Sequence, residues 1–497
     1  MIKGNIRKFL LIKMKNIVLL YCWDLKRNKK LKIDLTKKNY FLVGYKSKID
    51  STNDEFISIE INKEISITND IFGSQSLYHY KNSGKDIFSN SIDEIFKFHR
   101  DITISKNEIY KYFSFGYLPF SQNTIYNNIK LVQRCSKIEI SKKTIKSSLN
   151  LIDLFKKKKV NLPQGKKDFS KLFKKKIDKS KFSKSALCLT AGYDSLISLL
   201  YTKKMPLATF GNKHSIDIIG AKRRKKKFAN DRKHYIYTTK NHFLKNSNFV
   251  AYSRLLGGIA NLSSVQYLNF INYLKKKNVN YLYFSDHFET ARRNFTNVKS
   301  LVKKYLTPSN VVEKYFIKKR LYNFLKKNFL KKIKSKYKNN IMNNFYFHDR
   351  FIKGAFWKNQ ICSNLGIIRI SLPLDLKFIN NNFNLLKKNK ENLFFFKLFP
   401  NKDNVKKELD FTRKIYVKSL EIKDKSSLDI QDILNYHKKY FLKIINSKYS
   451  NQFSTYFNLD LMRESIQNSN FVHKEEWFLL RFLSLIIFTK KYKIKIK

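Results

Sequence analysis

Between residues 185 and 284 short apolar runs alternate with segments of helical period: ALCL, a helix from about 194, LATF, a helix from about 217, YIYT, a helix near 262–276, then YLYF. Runs of four residues, apolar but for one threonine in LATF and one in YIYT, are too short for a helix. They also lack the polar alternation of a strand with one wet face, so each run reads as a strand buried on both sides. Strands separated by helices pair in parallel, because a parallel connection must cross over the sheet. The pattern therefore predicts a parallel sheet covered on both faces.

The first of these units, SALCLTAGYDSLISLL (185–200), spends a glycine in a chain that has only 13. Leu187–Leu189 reads as the strand, Thr190–Tyr193 as the turn, and Asp194-Ser195 as the start of a helix. In open α/β sheets ligands bind where strands end and helices begin. The dipole and N–H groups of a helix start favour phosphate oxygens. Gly192 permits close backbone approach, and Thr190 and Ser195 offer hydroxyl donors. A carboxylate such as Asp194 repels bare phosphate, which implies a Mg²⁺ between the two. The competing reading is an ordinary strand–turn–helix with Asp194 as a helix-start residue. No Gly-Lys-Ser/Thr follows, so this is not a Walker loop.

Upstream, the chain to about residue 150 is rich in strand-like runs (NIVLLYCW, NYFLVGY, EFISIEI, EISIT, KIEI), with helical patterns near 91–98 and 107–114. A lysine-heavy stretch containing Pro163 and Gly165 follows and reads as a linker and a surface helix. The predicted division is 1–150, a linker with its helix at 151–184, and 185–497. After about 300 the pattern is mostly helical, with an extended break at RISLPLD (369–375). No fixed-period repeat is visible.

Lys and Arg total 102 against 37 Asp and Glu, a net charge of +65. Such an excess attracts polyanions at low salt. Lys, Asn, Ile, Phe and Tyr are plentiful throughout while Gly and Pro are scarce, which is also how an AT-rich coding sequence translates. Only non-specific attraction to nucleic acid is expected. RRKKK (223–227) reads as a solvated helix face, with a phosphate patch as the alternative. Cys22, Cys135, Cys188 and Cys362 lie far apart, neither a disulfide framework nor a zinc pattern, which fits a reducing cytoplasm. Cys188 reads as a small core residue. The N-terminal run is broken by Lys13 and Lys15, and WFLLRFLSLIIFT (477–489) is shorter than a membrane span and carries Arg481. Both read as core elements, with no membrane insertion.

Thr190-Ala191-Gly192-Tyr193-Asp194-Ser195 resembles the Ser-Gly-Gly-x-Asp-Ser loop of the ATP pyrophosphatases, specifically the asparagine synthetase family. The likeness extends along the chain. Residues 70–98 resemble the family's D-x-F-G hairpin and helix, and 107–133 the segment that closes its amidotransferase domain. Residues 208–228 resemble its second strand and Asp-containing helix start, 345–357 and 371–379 its later segments, and WFLLRFLSLIIF its final core helix. The resemblance implies an N-terminal Ntn-hydrolase-like β-sandwich with helices. It implies a C-terminal Rossmann-like parallel sheet of the adenine nucleotide α-hydrolase type, extended by helices. It also implies ATP held by Thr190, Ala191, Gly192, Tyr193, Asp194 and Ser195, with Mg²⁺ on Asp194 and Glu289.

Two departures stand out. The family's glutaminase uses an N-terminal cysteine, whereas Ile2 follows Met1 here and Cys22 is internal, so glutamine hydrolysis is expected to be absent. The family's second metal segment, Gly-Glu-Gly-x-Asp-Glu, falls at Ser285-Asp286-His287-Phe288-Glu289, without either glycine. The other reading of Asp286 and Glu289 is a solvated turn paired with Arg292 and Arg293, and His287 reads as a surface or helix-start residue. The implied activity is adenylation of a substrate carboxylate, then transfer of nitrogen from ammonia, a partner's ammonia or an amine. Aspartate is the default acid, which would place the reaction in asparagine biosynthesis, and another small-molecule or cell-surface-precursor acid is the alternative. The sequence singles out no catalytic base. A tRNA-modifying pyrophosphatase and a non-catalytic scaffold are the competing functions.

Overall fold

Apolar residues at every second position make the N-terminal part a set of strands. The computed structural model describes residues 2–25, 29–46, 54–116, 118, 122–149, 158–159, 162–177, 179–202, 204–286, 288, 315, 353–375, 378, 381–382, 405, 407–408, 430–469, 471 and 475–496. Strands β1 (Ile2–Met14), β2 (Ile17–Asp24), β3 (Lys30–Lys32), β4 (Asn39–Tyr45), β5 (Glu55–Ile61) and β6 (Ile65–Asn69) come first. Then follow β7 (Tyr78–Asn82), β8 (Lys85–Ser89), helix α1 (Ile92–Phe98), β9 (Thr103–Ile104), helix α2 (Lys106–Phe115), β10 (Ile129–Leu131), β11 (Ser136–Ile140) and β12 (Ile145–Leu149). All but β9 join one mixed sheet, in the order β10-β7-β8-β1-β4-β5-β6-β11-β12 with β2 and β3 branching from β1.

β1 makes this sheet curl. Its first residues pair in parallel with β4, and beyond a register shift between Ile6 and Lys8 it pairs antiparallel with β2 and β8. The two halves face each other: Phe9, Leu11, Leu20, Cys22 and Phe88 pack against Phe41, Val43, Ile57, Ile59, Ile67 and Ile138. The alternate residues Leu10, Ile12, Trp23, Tyr80 and Ile87 point the other way, into a core shared with α1 and α2. Asp70 turns the chain after β6. Its buried carboxylate accepts hydrogen bonds from the N–H of Phe72 at 2.7 Å, of Ser74 at 3.1 Å and of Phe56 at 3.2 Å, and from Ser74 Oγ at 2.8 Å.

A two-residue strand, β13 (Lys158–Lys159), precedes helix α3 (Leu162–Lys176). The expected strand–helix alternation then follows: β14 (Ser185–Cys188), α4 (Tyr193–Tyr201), β15 (Leu207–Gly211), α5 (Ile216–Phe228), β16 (His234–Thr238), α6 (Asn246–Leu255), α7 (Val265–Lys276) and β17 (Tyr281–Phe284). A helix at Lys353–Leu365 leads to β18 (Ile368–Ser371), so the stretch read as an extended break contributes the fifth strand. β19 (Asn381–Asn382) pairs with β13, and β20 (Lys495–Ile496) with β9. The five main strands run parallel in the order β16-β15-β14-β17-β18. Both faces are covered, as continuous apolar strands require. Leu187, Leu207, Tyr283 and Ile370 meet the α3, α4 and α5 side, while Ala186, Ala208, Leu282 and Phe284 meet the side of α7 and Lys353–Leu365.

The helix Glu475–Tyr492 is the predicted core element: from Phe478 to Thr489 every residue except Arg481 is buried. Phe478 and Phe482 stack around Phe113 of α2, and Phe488 meets Phe96 of α1 edge-on at 5.0 Å. Gly258 follows α6 at φ +69°, and a Cβ there would lie 2.8 Å from Phe488 Cβ. No described helix is long and apolar enough to cross a membrane.

α3 lies at the surface with one buried edge. Leu172 and Phe173 enter the core, and Lys176 is fully buried. Lys176 Nζ donates to Ser371 O at 3.0 Å and Leu374 O at 2.5 Å and lies 3.8 Å from Glu55 Oε1, which accepts from the Ser371 N–H at 2.6 Å. This ties β5 of the curled sheet to β18 of the parallel one.

Asp70→Ala is expected to leave several buried N–H groups unpaired and to lower unfolding stability by about 3 kcal/mol, read as a shift in urea midpoint. Burial pushes the Glu55 carboxyl up to about 7, against the neighbouring Lys176 and Arg369. A carboxyl raised on folding keeps its proton where the unfolded chain has lost it. Stability therefore falls as pH rises through the window from the unfolded value near 4.5 to about 7. Glu55→Gln is expected to flatten that fall, which denaturation at the two ends of the window measures.

Candidate functional site

The strand order reverses at β14. The chain moves outward from β14 through β15 to β16, then returns to β14's other side for β17 and β18. At such a switch point the two outgoing loops leave in opposite directions and open a crevice at the strands' carboxyl ends. Thr190–Ser195 leaves β14 there, and Ser285-Asp286 leaves β17. A hydrogen bond of 2.8 Å from Ser285 Oγ to Ser198 Oγ of α4 holds the two exits together.

Gly192 is exposed, Thr190, Tyr193 and Asp194 are half-buried, and Ala191 and Ser195 are buried. Gly192 has ordinary extended backbone, φ −67° and ψ 150°. Its requirement is space: a Cβ would stand 3.1 Å from Thr190 Oγ1, the atom that accepts the Gly192 N–H at 3.0 Å. The Thr190 N–H donates to Ser195 Oγ at 3.2 Å, and the Ala191 N–H to Asp217 Oδ1 at 3.1 Å. Three amides that the sequence reading aimed at a ligand thus donate within the protein. What the turn exposes is Gly192, followed by the first turn of α4 with its partial positive charge.

Two residues of α5 shape this turn. Asp217 stands in its first turn, after the N-cap Ser215, whose side chain accepts from the Ile218 N–H. Burial raises the Asp217 carboxyl above its ordinary value, opposed by the Ala191 hydrogen bond and by Arg224. Arg224 is wholly buried, and burial lowers it to about 10. The solvated-face reading of 223–227 is therefore corrected at Arg224: its side chain lies under the turn, where the electrostatic need of main-chain carbonyls holds it. Asp217, Gly220 and Arg224 recur at helical spacing on one face, a signal present in the sequence. Lysines on both sides of Arg224 mask it.

At the exit of β17 Asp286 is bound to Arg369, which also donates to Asn359 and lies over the Phe284 ring at 4.4 Å. Ser371 Oγ donates to Asp286 O at 3.0 Å, and Lys358 Nζ lies 3.9 Å from its carboxylate. Asp286 is therefore no solvated turn residue: its partner is a buried arginine from β18. Glu289, His287, Arg292 and Arg293 lie outside the described residues.

Among the described residues no three His, Cys, Asp or Glu side chains gather as a metal-binding group. Asp217 is bound to the Ala191 amide and Asp286 to Arg369, and Asp194, half-buried in the first turn of α4, is the carboxylate of the loop itself. That fits Mg²⁺, which takes one or two carboxylates and completes its shell with phosphate and water. Burial pushes the Cys22 thiol up to about 12 and Cys362 up to about 11, and holds Cys188 well above its ordinary value. All three are protonated thiols at neutral pH, the state of inert core cysteines. No protein-family model matches this sequence, and no curated protein matches it.

Gly220 brings α5 against the turn: a Cβ there would lie 2.6 Å from Ala191 Cβ and 3.0 Å from its Cα. Gly220→Ala gains about 1 kcal/mol of helix propensity but forces backbone apart at a cost of about 1–3 kcal/mol. A net loss of stability is expected in thermal melts, with faster amide exchange at Ala191.

Proposed function

We propose that this chain is an asparagine synthetase-like, ATP-dependent amide-forming ligase. The observation that carries the reading is the Thr190–Ser195 turn at the carboxyl end of β14, where the parallel order β16-β15-β14-β17-β18 reverses. The order suits the Rossmann-like fold implied by the sequence resemblance, and the curled two-layer sheet suits a relic of its amidotransferase domain.

ATP lies in the crevice with its phosphates over Gly192 and the first turn of α4, which favour their negative charge. By the resemblance, Asp194 and Glu289 would hold Mg²⁺, which would offset charge on the phosphates. A substrate carboxylate oxygen attacks the α-phosphorus, and the bond to the β,γ-pyrophosphate breaks. The turn stabilises the departing pyrophosphate by fixed dipoles that need no rearrangement. An amine nitrogen then attacks the acyl carbon, AMP leaves, and the nitrogen loses a proton to give the amide.

A second reading, a non-catalytic scaffold, is favoured by one feature: the turn satisfies three of its own amides through Ser195, Asp217 and Thr190.

Exchange of labelled pyrophosphate into ATP, with Mg²⁺ and a panel of carboxylic acids including aspartate, separates the readings. A ligase scrambles label with at least one acid. Asp194→Ala lowers that rate by at least about a hundredfold, as removal of a transition-state stabiliser does, and leaves the melting temperature near wild type. Absence of exchange with every acid favours the scaffold.

A further inference from the structure

The carbonyl side of the Thr190–Ser195 turn is held from behind. Arg224 Nη1 lies 2.8 Å from Thr190 O and 2.6 Å from Gly192 O, so its two hydrogens serve two carbonyls of one turn. A buried guanidinium is costly unless paired. Glu408, itself fully buried, lies 3.9 Å from Arg224 Nε and takes a hydrogen bond of 3.0 Å from Arg223.

The consequence is directional. A peptide unit is planar and trans, so its C=O and N–H point opposite ways. In the 190–191 unit the carbonyl goes to Arg224, with Ser195 Oγ also at 2.9 Å, and the N–H goes to Asp217, seven residues before Arg224 on α5. Two helical turns, about 10 Å, separate those anchors, and the peptide is stretched between them. In the 192–193 unit the carbonyl takes Arg224 together with Ser195 Oγ at 2.9 Å and the Leu196 N–H at 3.4 Å, and the Tyr193 N–H of the same planar unit points the opposite way. Two carbonyls drawn back on a buried cation leave the opposite side of the turn without those two oxygens.

We infer that Arg224 is a positioning residue for the nucleotide turn: it draws the Thr190 and Gly192 carbonyls away from the crevice, so that the turn presents an anion-tolerant face, and Glu408 holds it in place. The inference rests on the nucleotide reading above and adds to it a link between the turn and the distant Glu408.

The test uses the full-length chain and three variants: Arg224→Met, which keeps the stem and loses the donors; Arg224→Lys, which restores a cation; and Glu408→Gln. Hydrogen–deuterium exchange reports on residues 189–196, and calorimetry reports affinity for ATP with Mg²⁺. In Arg224→Met the turn is expected to exchange at least about tenfold faster, and ATP to bind at least about tenfold more weakly, the size of one lost charge-assisted hydrogen bond. Peptides from β4, β5 and the helix Glu475–Tyr492 keep wild-type exchange. Arg224→Lys recovers part of both losses, and Glu408→Gln shows both in smaller degree. Unchanged turn exchange in Arg224→Met overturns the inference, as does faster exchange with undiminished ATP affinity, or acceleration spread evenly over all peptides. Wild-type protein that binds no ATP overturns the nucleotide reading instead, and the exchange comparison still decides whether Arg224 orders the turn.

Discussion

The helix Glu475–Tyr492 has no polar face along its central turns, so it must be wrapped on every side. Neither half of the molecule wraps it alone. Phe113 and Phe96 from α2 and α1 close on it from the curled sheet's side, and Gly258, just beyond α6, closes on it from the parallel sheet's side. One continuous apolar core therefore runs from β8 and α1 through this helix to α7 and Lys353–Leu365. Directional bonds surround that non-directional contact. Asp93 of α1 accepts from Arg254 of α6 at 3.1 Å on both oxygens, and from Tyr492 at the helix's far end, while Tyr126 Oη donates to Gly257 O at 2.5 Å. Apolar burial supplies the attraction, and these bonds choose one orientation among many that would bury similar area.

The second seam, between β5 and β18, works by the opposite chemistry. Glu55 and Lys176 are both removed from water, and such a pair contributes through specificity more than through net stability. Each must find its remaining partners in the main chain, at Ser371 and Leu374, which fixes the register between the two sheets. Arg369, two residues before Ser371, reaches Asp286 at the exit of β17. The seam thus ends at the rim of the crevice, and the position of the curled sheet and the shape of that rim are parts of one hydrogen-bonded structure.

Much of this was legible in the strand and helix periods. Leu187, Leu207 and Leu282 sit in runs too short and too apolar for anything but doubly covered strands, and all became neighbours in the parallel sheet. Trp477 to Thr489 read as a core helix because Arg481 excludes a bilayer and the rest excludes water. Arg224 and Lys176 were not legible. Each lies in a lysine-rich helix where composition points to solvent, and each is buried because a distant main-chain segment supplies carbonyls for it. Residues 369–375 read as an extended break in a helical stretch, and β18 overlaps it; what the sequence did not show is why all four of its residues are buried, with Arg369 bound to Asp286 and the Ser371 N–H to Glu55.

The sequence by itself determined the local geometry: which segments are strands, which are helices, and that a glycine turn follows the first strand of the second half. Those properties follow from short-range sterics and from the period at which apolar side chains recur, both written in neighbouring residues. Only the tertiary structure decided what that turn faces. Its Ala191 amide, its Thr190 and Gly192 carbonyls and the nearby Asp286 carboxylate are bound by Asp217, Arg224 and Arg369, residues 26 or more positions away from the groups they hold. A buried charge takes whichever partner the packed chain brings within reach. That choice depends on long-range packing, which no local pattern encodes.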